Sequence, residues 1–408
     1  MPLWVGGFYM PLVYLYRHVS NLWVKEYQVE GKLQGSESIL KLGYYGNDKR
    51  VFSYWLNTLF SETQRIEEKS RVPVWRIPSR LENGNGPCEL ALTEVTPISR
   101  GLAMNGQGFI IPRWVDTLLP VERSLDAVSS KNNNKHIAKH GFTCRTSTSQ
   151  ENLQFFYERM FRPYILSRHK DASVMVDFSY FRKRMKKKHS KLFLLMQGDD
   201  TVAASFNERK NGRMKFSGLG VLDGRKDIIQ MGAIRALYYF MLTHYKEQGV
   251  ELINYGGTSP LLSDGLTKFK RSMRAIPTDR NPYGEKSLWL LPVKDSEAMQ
   301  SFFRLHPFLF IKKGAFYRAL FPDSSATESR EAFLKWLNHY QFLGLAGTRI
   351  FCRDHQQLLS TWISEEELSG MEVQPLVYLT AQEPAPASGR SNHASIFSCL
   401  RKVFSKSA

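Results

Sequence analysis

The residues whose types and spacing are best suited to binding phosphate lie in residues 215–237 (KFSGLGVLDGRKDIIQMGAIRAL). Glycine inside a strand pattern is typical of a bulge or of close approach to the backbone. Free N–H groups at the start of a helix, with two neighbouring cations, are the chemistry of a pyrophosphate site. A hairpin turn with a solvated Arg–Lys pair is the alternative interpretation. The candidate binding residues are Gly218, Leu219, Gly220, Val221, Gly224, Arg225, Lys226, Gly232 and Ala233.

Other kinds of catalytic site find little support in the sequence. The ten histidines form no HExxH motif, and no serine stands in a GxSxG motif. His136 and His140 share a helical spacing, but lysines surround them and no metal is expected. The four cysteines, which include no CxxC pair, are Cys88, Cys144, Cys352 and Cys399. We therefore expect reduced thiols in a cytosol, with neither a zinc site nor a disulfide framework.

The elements that must position residues 215–237 can be read from the hydrophobic periodicity of residues 151–293. Residues 151–168 form an amphipathic helix pattern that Pro163 should kink or divide. A second, strongly basic helical run follows, and then three strands with hairpin turn chemistry. Residues 229–241 carry the clearest helix stripe in the chain. The predicted order is helix, helix, three strands, helix, strand, helix and strand.

Length and composition limit how the chain can be organised. Its 408 residues are enough for two or three domains of about 150 residues each, and a mean hydropathy of -0.34 excludes a polytopic membrane protein. The first 150 residues mix short apolar runs with turn signals, and this pattern predicts an α+β half. We predict an α+β half at 1–150, a core at 151–293, a helical extension at 294–380, and a linker with a basic amphipathic tail at 381–408.

The chain is strongly basic, since 56 Lys and Arg residues against 38 Asp and Glu residues give a net charge of +18. Such a charge favours a polyanionic partner, although a solvated basic face is the alternative. The densest cluster, from Arg182 to Lys191, is where we expect contact with tRNA or an anionic membrane. Residues 1–16 are apolar but too short to span a bilayer, so a buried strand or a membrane-surface contact is expected there.

The phrase YGGTSPLLSDGLTKFK in residues 255–270 follows the predicted strand and helix, and it resembles a stretch of the Fem-type branch of the GNAT acyltransferases. That branch includes the peptidoglycan aminoacyl transferases. Residues 111–115 (IPRWV) and 156–160 (FYERM) also resemble it, and the likeness covers about residues 110–293. The acetyl-CoA loop motif (Q/R)xxGx(G/A) of GNAT enzymes is degenerate here, because Gln230 precedes Gly232 by two positions.

This resemblance implies an α+β fold with a GNAT-like mixed twisted sheet flanked by helices, present once or as two halves with a degenerate first copy, plus the helical extension. It implies that an amine on a small molecule or peptide attacks an acyl group carried by acyl-CoA or aminoacyl-tRNA. The backbone of residues 218–221 would polarise the carbonyl. Lys270 would hold the carrier's phosphates and stabilise the tetrahedral intermediate, with an exposed helix position as the alternative.

Two further side chains are catalytic candidates under this mechanism. Asp264 could accept a proton if burial raised its pKa, but capping of the next helix by Ser263 or Asp264 is the preferred interpretation. Tyr255 could donate a proton to a leaving thiolate or ribose hydroxyl, and strand packing is the alternative. These assignments predict an N-acyltransferase.

The competing function is a catalytically inactive GNAT-fold module that binds nucleic acid or an anionic membrane through its basic face. The degenerate cofactor loop and the net charge of +18 favour it. Under either function we expect a location in the cytoplasm or on the inner face of a membrane.

Overall fold

The structure is a computed structural model that describes residues 20–82, 88–97, 99, 107–168, 175–210, 212–278, 287–352, 356–363 and 371–375. Its longer helices are α1 (Lys49–Leu59), α2 (Ile77–Glu82), α3 (Val121–Val128), α4 (Lys131–His140), α5 (Gln150–Phe155), α6 (Arg162–Arg168), α7 (Phe178–Met185), α8 (Lys226–Gln230), α9 (Ala233–Glu247), α10 (Gly265–Ser272), α11 (Glu297–Leu305), α12 (Arg330–His339) and α13 (Gln356–Ile363). Short 3-10 turns span Ser20–Leu22, Val74–Arg76, Leu222–Gly224 and Ser325–Thr327, and a π-helix spans Phe156–Phe161.

The strands form three sheets. They are β1 (Trp23–Leu33), β2 (Ile39–Gly46), β3 (Phe60–Pro73), β4 (Leu90–Val95), β5 (Phe109–Pro112), β6 (Val115–Pro120), β7 (Phe142–Ser147), β8 (Lys191–Gln197), β9 (Asp200–Lys210), β10 (Arg213–Val221), β11 (Leu252–Thr258), β12 (Ile276–Thr278), β13 (Ser287–Pro292), β14 (Phe308–Lys312), β15 (Ala315–Leu320), β16 (Gly347–Phe351) and β17 (Met371–Gln374). This mixture of sheets and flanking helices is the predicted α+β class.

The first sheet has the order β3-β1-β2-β4-β13-β5. Its strands β2 and β4 are parallel and stay paired from Leu42 opposite Leu90 to Tyr45 opposite Thr93. Helix α1 begins at Asp48, whose side chain accepts a hydrogen bond from the Arg50 N–H group. Helix α1 packs its apolar face against one face of this sheet, and the side chains between them form part of the hydrophobic core.

The second sheet has the order β12-β6-β11-β10-β9-β8-β7, and β10 and β11 are its parallel pair. Helix α9 lies on one face, where its apolar stripe packs into a core that it shares with α3, α4 and α8. Helix α5, the π-helix, α6 and α7 cover the other face. Seven strands with helices on both faces give the mixed twisted sheet that was predicted.

The two sheets exchange strands. Strand β5 ends in the first sheet, and after two residues β6 enters the second sheet between β11 and β12. In the reverse direction, the chain leaves β12 in the second sheet and β13 enters the first sheet between β4 and β5. In each sheet, a parallel pair is thus followed by an antiparallel strand that comes from the other half of the chain. The two halves therefore have the same connectivity.

This exchange does not respect the predicted domain boundaries. Strands β6 and β7 precede residue 150 yet belong to the second sheet, and β13 precedes residue 293 yet belongs to the first. The boundary at 150 is therefore misplaced relative to the sheets. The reason is that periodicity along the chain shows where a strand lies but not which sheet it joins.

The extension after residue 293 contains a sheet as well as helices. Strands β14 to β17 follow one another in order, with β15, β16 and β17 parallel and joined by α12 and α13. Within the extension that was predicted to be helical, residues Ala315–Leu320 form β15. The description of this region as helical was therefore incomplete.

Several sequence features lie outside the described residues, among them the apolar segment 1–16, Cys399 and residues 381–408. Within the described part of the chain, none of the helices is long and apolar enough to cross a membrane. The cysteines found there, Cys88, Cys144 and Cys352, are not joined to one another by disulfide bonds.

Candidate functional site

Strands β10 and β11 pair over a short stretch and then separate. The parallel register joins Met214 to Ile253 and Lys215 to Asn254, and no pair follows although β10 runs on to Val221. In the described sheet, the edge of β10 beyond Lys215 that faces β11 therefore has no strand partner. Such an edge presents backbone N–H groups that could donate hydrogen bonds to the carbonyl oxygen of a ligand. This is where the sequence predicted the carbonyl-binding residues Gly218, Leu219, Gly220 and Val221.

The glycines of β10 serve a packing function on one face. A β-bulge lies between Phe216 and Gly218 in the pairing with β9. A Cβ atom on Gly218 would lie 2.9 Å from the Phe181 ring, and one on Gly220 would lie 2.6 Å from the backbone of Met160 and Phe161 in the π-helix. The close approach predicted from these glycines is therefore made by a helix on that face, and the free edge of the strand remains the candidate for ligand contact.

On the α9 face, aromatic rings occupy the space where β10 and β11 diverge. The Tyr238 ring lies 5.6 Å from Phe216 of β10, 5.5 Å from Tyr255 of β11 and 5.6 Å from Phe269 of α10. Tyr238 and Tyr255 are both buried. These rings fill the side of the cleft between α9 and α10.

The predicted phosphate loop consists of the 3-10 turn Leu222–Gly224 and the short helix α8. Asp223 and Gly224 have φ of 50° and 65°, and a Cβ atom on Gly224 would lie 2.9 Å from the Pro163 carbonyl oxygen, so glycine is needed there. The Arg225 guanidinium pairs with Asp227 at 2.5 Å, and Lys226 is exposed. One of the two predicted cations is thus already partnered by a carboxylate of the same loop.

The predicted helix of residues 229–241 is interrupted. Helix α8 ends at Gln230, Gly232 adopts φ 87°, and α9 begins at Ala233, which is fully buried. A Cβ atom on Gly232 would lie 3.5 Å from His136 of α4. Gly232 therefore lies against α4, where the His136 and His140 rings stack with their centroids 6.0 Å apart.

Lys270 is buried and surrounded by backbone oxygen. Its ammonium donates to the carbonyl oxygens of Tyr255, Gly256 and Gly257, each at 2.8 Å, and lies 3.2 Å from the Thr117 hydroxyl. Burial lowers the pKa of Lys270 to about 7, while the charges of Asp116 and Asp264 act in the opposite direction. The geometry differs from the phosphate contact that the resemblance implied, because all three ammonium protons are directed at β11 and β6.

Tyr255 lies on the α9 face of β11. Its ring stacks edge-on against Tyr238, and the Lys270 ammonium lies 4.8 Å from the ring centroid. Burial, followed by the charge of Tyr238, raises the pKa of Tyr255 well above its ordinary value. The phenol therefore keeps its proton at neutral pH, and the packing interpretation describes its position.

Asp264 caps helix α10. Its side chain accepts a hydrogen bond from the Thr267 N–H group at 2.9 Å, and its backbone is extended, as an N-cap residue requires. The Thr267 hydroxyl in turn contacts the Ser259 carbonyl oxygen at 2.9 Å. The capping interpretation preferred from the sequence therefore agrees with the position of this carboxylate.

A cluster of polar side chains on the other face of the second sheet was missed by the sequence analysis. Glu208 of β9 is buried, pairs with Arg184 of α7 at 3.0 Å and accepts a hydrogen bond from Ser217 at 2.8 Å. Burial lowers the pKa of the neighbouring Lys215, and the charge of Asp116 opposes the shift. These residues meet only after β6, β9, β10 and α7 assemble, which local spacing could not indicate.

Asp116 stands at the mouth of this polar face. It lies on β6 next to the end of β11, where a Cβ atom on Gly257 would be 3.7 Å from its Oδ1 atom. Near it in sequence, Trp114 is 46% exposed, and its ring lies tilted against Tyr54 with ring centroids 5.0 Å apart. A partly exposed carboxylate beside a cleft is a group that could bind an ammonium or accept its proton.

The basic residues predicted to contact a polyanion lie at the far end of the same sheet. Most side chains between Arg182 and Lys191 are exposed, including Lys186, Lys187 and Lys188. The Lys191 ammonium lies 3.3 Å from His244 of α9. Among the described residues, no group of three or more His, Cys, Asp or Glu side chains could hold a metal ion.

No protein-family model matches the sequence, and a comparison with curated proteins gave no match either. Among solved structures the chain is similar to FemX, with 12% identity, coverage of 64% of this chain and 83% of that chain, and a TM-score of 0.33. It is also similar to L-PGS from Bacillus licheniformis (12% identity, 64% and 83% coverage, TM-score 0.30). A third similar structure is a GCN5-related N-acetyltransferase from Anabaena variabilis (9%, 79% and 81%, TM-score 0.28). At these TM-scores the likeness assigns no function or residue role to this chain.

Proposed function

We propose that this protein transfers an acyl group from an activated carrier to an amine at the cleft between β10 and β11. The observation that carries the proposal is the separation of the two parallel strands after Lys215 and Asn254. An unpaired strand edge offers fixed N–H donors to a carbonyl oxygen that gains negative charge in the transition state. The parallel pair of the first sheet keeps four consecutive residue pairs, from Leu42–Leu90 to Tyr45–Thr93, against two pairs between β10 and β11.

The amine would enter from the polar face. Its lone pair attacks the carbonyl carbon, the new C–N bond forms, and the carrier's oxygen or sulfur leaves with the bonding electrons. The proton released by the amine passes to the Asp116 carboxylate, which lies beside the end of β11. Lys270 fixes the backbone of that end through three carbonyl contacts, so we propose a positioning role for it.

The donor class is open between acyl-CoA and aminoacyl-tRNA. A CoA donor would place its phosphates near Lys226 and the N-terminus of α9, where Arg225 is already paired with Asp227. An aminoacyl-tRNA donor would use the cations between Arg182 and Lys191. Both donors require a protein in contact with the cytoplasm, and an acceptor on a small molecule or a peptide fits either.

The test is acyl transfer by the purified protein, followed by mass spectrometry of the amine product, with coenzyme A, acyl-CoA and aminoacyl-tRNA as probes. The true donor should raise the melting temperature and give product, since a ligand that binds only the folded state stabilises it. Asp116→Asn should lower the rate about 100-fold with the fold intact. Asp199→Asn, an exposed carboxylate in the β8–β9 turn, is the matched control and should have no effect.

A second candidate function is a catalytically inactive binding module. The aromatic rings of Phe216, Tyr238, Tyr255 and Phe269 on the α9 face favour it, because they occupy the groove between α9 and α10. This function predicts salt-sensitive binding of a polyanion through Arg182 to Lys191 with no acylated product from any donor. The absence of transfer and of donor-induced stabilisation would therefore favour the module over the enzyme.

A further inference from the structure

Two tryptophan side chains form an exposed pair at one end of the first sheet. Trp23 is the first residue of β1, and Trp75 lies in the 3-10 turn that follows β3. Their ring centroids are 6.0 Å apart at an angle of 76°, and the residues are 50% and 41% exposed. The two adjacent rings form a contiguous apolar patch, and exposed patches of this kind mark interaction surfaces.

The pair stands on a rigid base. Trp23 lies opposite Pro73 in the register of β1 and β3, and the side chains beneath it are fully buried in one apolar cluster. Members of that cluster next to the pair are Val24, Val72, Val74 and Ile77. The rings are therefore held outward by a packed core, which lowers the entropy lost when they bind.

Cations lie near the two rings in register and in sequence, since Arg71 pairs with Lys25, two residues from Trp23, and Arg76 follows Trp75. Arg71 and Arg76 are exposed, and neither has a carboxylate within ion-pair distance among the described residues. Arg80 is half-exposed and reaches the buried Glu26 at 3.4 Å, and Lys25 pairs with Glu68. Tryptophan rings flanked by unpaired arginines match the headgroup layer of an anionic bilayer, where the indole sits at the interface and arginine binds phosphate.

The sequence that precedes Trp23 is also apolar and aromatic. The described chain starts at Ser20, three residues before Trp23. The preceding residues 1–16 are apolar and include the aromatic residues Trp4, Phe8 and Tyr9. An apolar aromatic segment thus precedes the first of the exposed rings in the sequence.

We propose that the surface formed by Trp23, Trp75, Arg71, Arg76 and Arg80 docks the protein on an anionic membrane. This tryptophan–arginine patch lies on the first sheet, apart from the polar face and from the basic residues between Arg182 and Lys191. The proposal goes beyond acyl transfer, because it assigns a lipid surface to a half of the chain that holds none of the proposed reacting groups. It holds or fails independently of catalysis.

The test is sedimentation of the full chain with vesicles of phosphatidylcholine alone or with about 30% phosphatidylglycerol. The protein should bind the anionic vesicles. Trp23→Ala combined with Trp75→Ala should weaken that binding about tenfold or more. Arg71→Gln combined with Arg76→Gln should weaken it by a similar factor at low salt and less at high salt.

Two control variants match these changes elsewhere on the surface. Trp114→Ala removes another exposed tryptophan, and Lys186→Gln with Lys187→Gln removes two exposed cations at the far end of the second sheet. Both should retain full binding. Brominated lipid should quench the fluorescence of the full chain less when Trp23 and Trp75 are replaced by phenylalanine, which tests contact without a binding constant.

Three results would overturn the proposal. One is failure of the full chain to bind anionic vesicles. Another is equal loss of binding in the control variants, which would indicate a general effect of charge. The third is retained vesicle binding, but lost RNA binding, in the Arg71→Gln and Arg76→Gln variant, which would assign the patch to nucleic acid. Circular dichroism melts of each variant show whether the fold is intact.

Discussion

The Lys270 ammonium donates a hydrogen bond to the Gly257 carbonyl oxygen at 2.8 Å, and thereby joins helix α10 to the end of strand β11. Two further carbonyl oxygens of the same strand accept from the same ammonium. Gly256, the middle one of these three residues, has φ 74° and lies at a bulge against β6. A buried cation thus holds a strand end whose regular pairing has been interrupted.

Replacement of this lysine should destabilise the fold. Lys270→Met keeps the apolar stem but removes the buried ammonium that donates to three carbonyl oxygens, and we expect a loss of about 2–4 kcal/mol in the free energy of unfolding. Urea denaturation measures it. Lys268→Met, on an exposed position of the same helix, is the control and should change stability by less than about 0.5 kcal/mol. Equal stability of both variants would show that the carbonyl contacts contribute little.

The same side chain should make stability depend on pH. Its pKa in the folded state is lowered to about 7, whereas the unfolded chain keeps the ordinary value of 10.5. Between these two values the unfolded state binds more protons, so the contribution of Lys270 to the free energy of unfolding rises with pH. The gap between wild type and Lys270→Met should therefore move in favour of wild type from pH 7 to pH 9. A direct carbon NMR titration of Lys270 that gives its ordinary pKa would contradict this.

Asp264 offers a test that separates capping from catalysis. Asp264→Ala removes the acceptor for the Thr267 N–H group and should cost about 1 kcal/mol in the free energy of unfolding. Asp264→Asn keeps an N-cap acceptor but removes the charge, so it should retain stability and, if transfer is found, the rate as well. A large loss of rate in a stable Asp264→Asn variant would instead show that the carboxylate takes part in the reaction.

The packing of β10 against the π-helix predicts intolerance at Gly220. Gly220→Ala places a methyl group 2.6 Å from the backbone of Met160 and Phe161, and we expect a loss of about 3 kcal/mol. Gly265→Ala is the control, because a Cβ atom there meets nothing within 4 Å and the residue begins helix α10. It should be neutral or stabilising by about 0.5 kcal/mol, as thermal melts can show. Similar melting temperatures for the two variants would mean that the π-helix shifts to make room.

Patterns carried by neighbouring residues were predictable from the sequence. The hairpins β8–β9–β10, the strand at 252–258 and the cap at Asp264 follow from turn chemistry and periodicity that act over a few residues. The clear helix stripe was also found, although Gly232 in the left-handed region divides it into α8 and α9. Local preference is a sufficient guide where the neighbours in sequence are also the neighbours in space.

Features that depend on assembly could not be predicted in this way. Pro163 was expected to kink or divide the helix of residues 151–168, and the stretch is divided into α5, the π-helix and α6. The π-helix itself was not predicted; the Arg162 N–H group bonds to Tyr157 five residues back, just before the proline. The cluster around Glu208 and the burial of Lys270 result from contacts between distant elements. The residues next to Lys270 in the sequence, FKR, give no indication that its ammonium contacts three carbonyl oxygens.

The exchange of β6 and β13 has a consequence for how the chain is made. During synthesis on the ribosome, the first sheet lacks β13 until residue 292 has emerged, so β4 has an open edge and β5 has nothing to pair with. A truncated product ending near residue 150 would have β6 without either of its neighbours. Neither half can complete its sheet alone. The unpaired strands of the nascent first half therefore favour aggregation, which a chaperone or rapid synthesis of the second half would prevent.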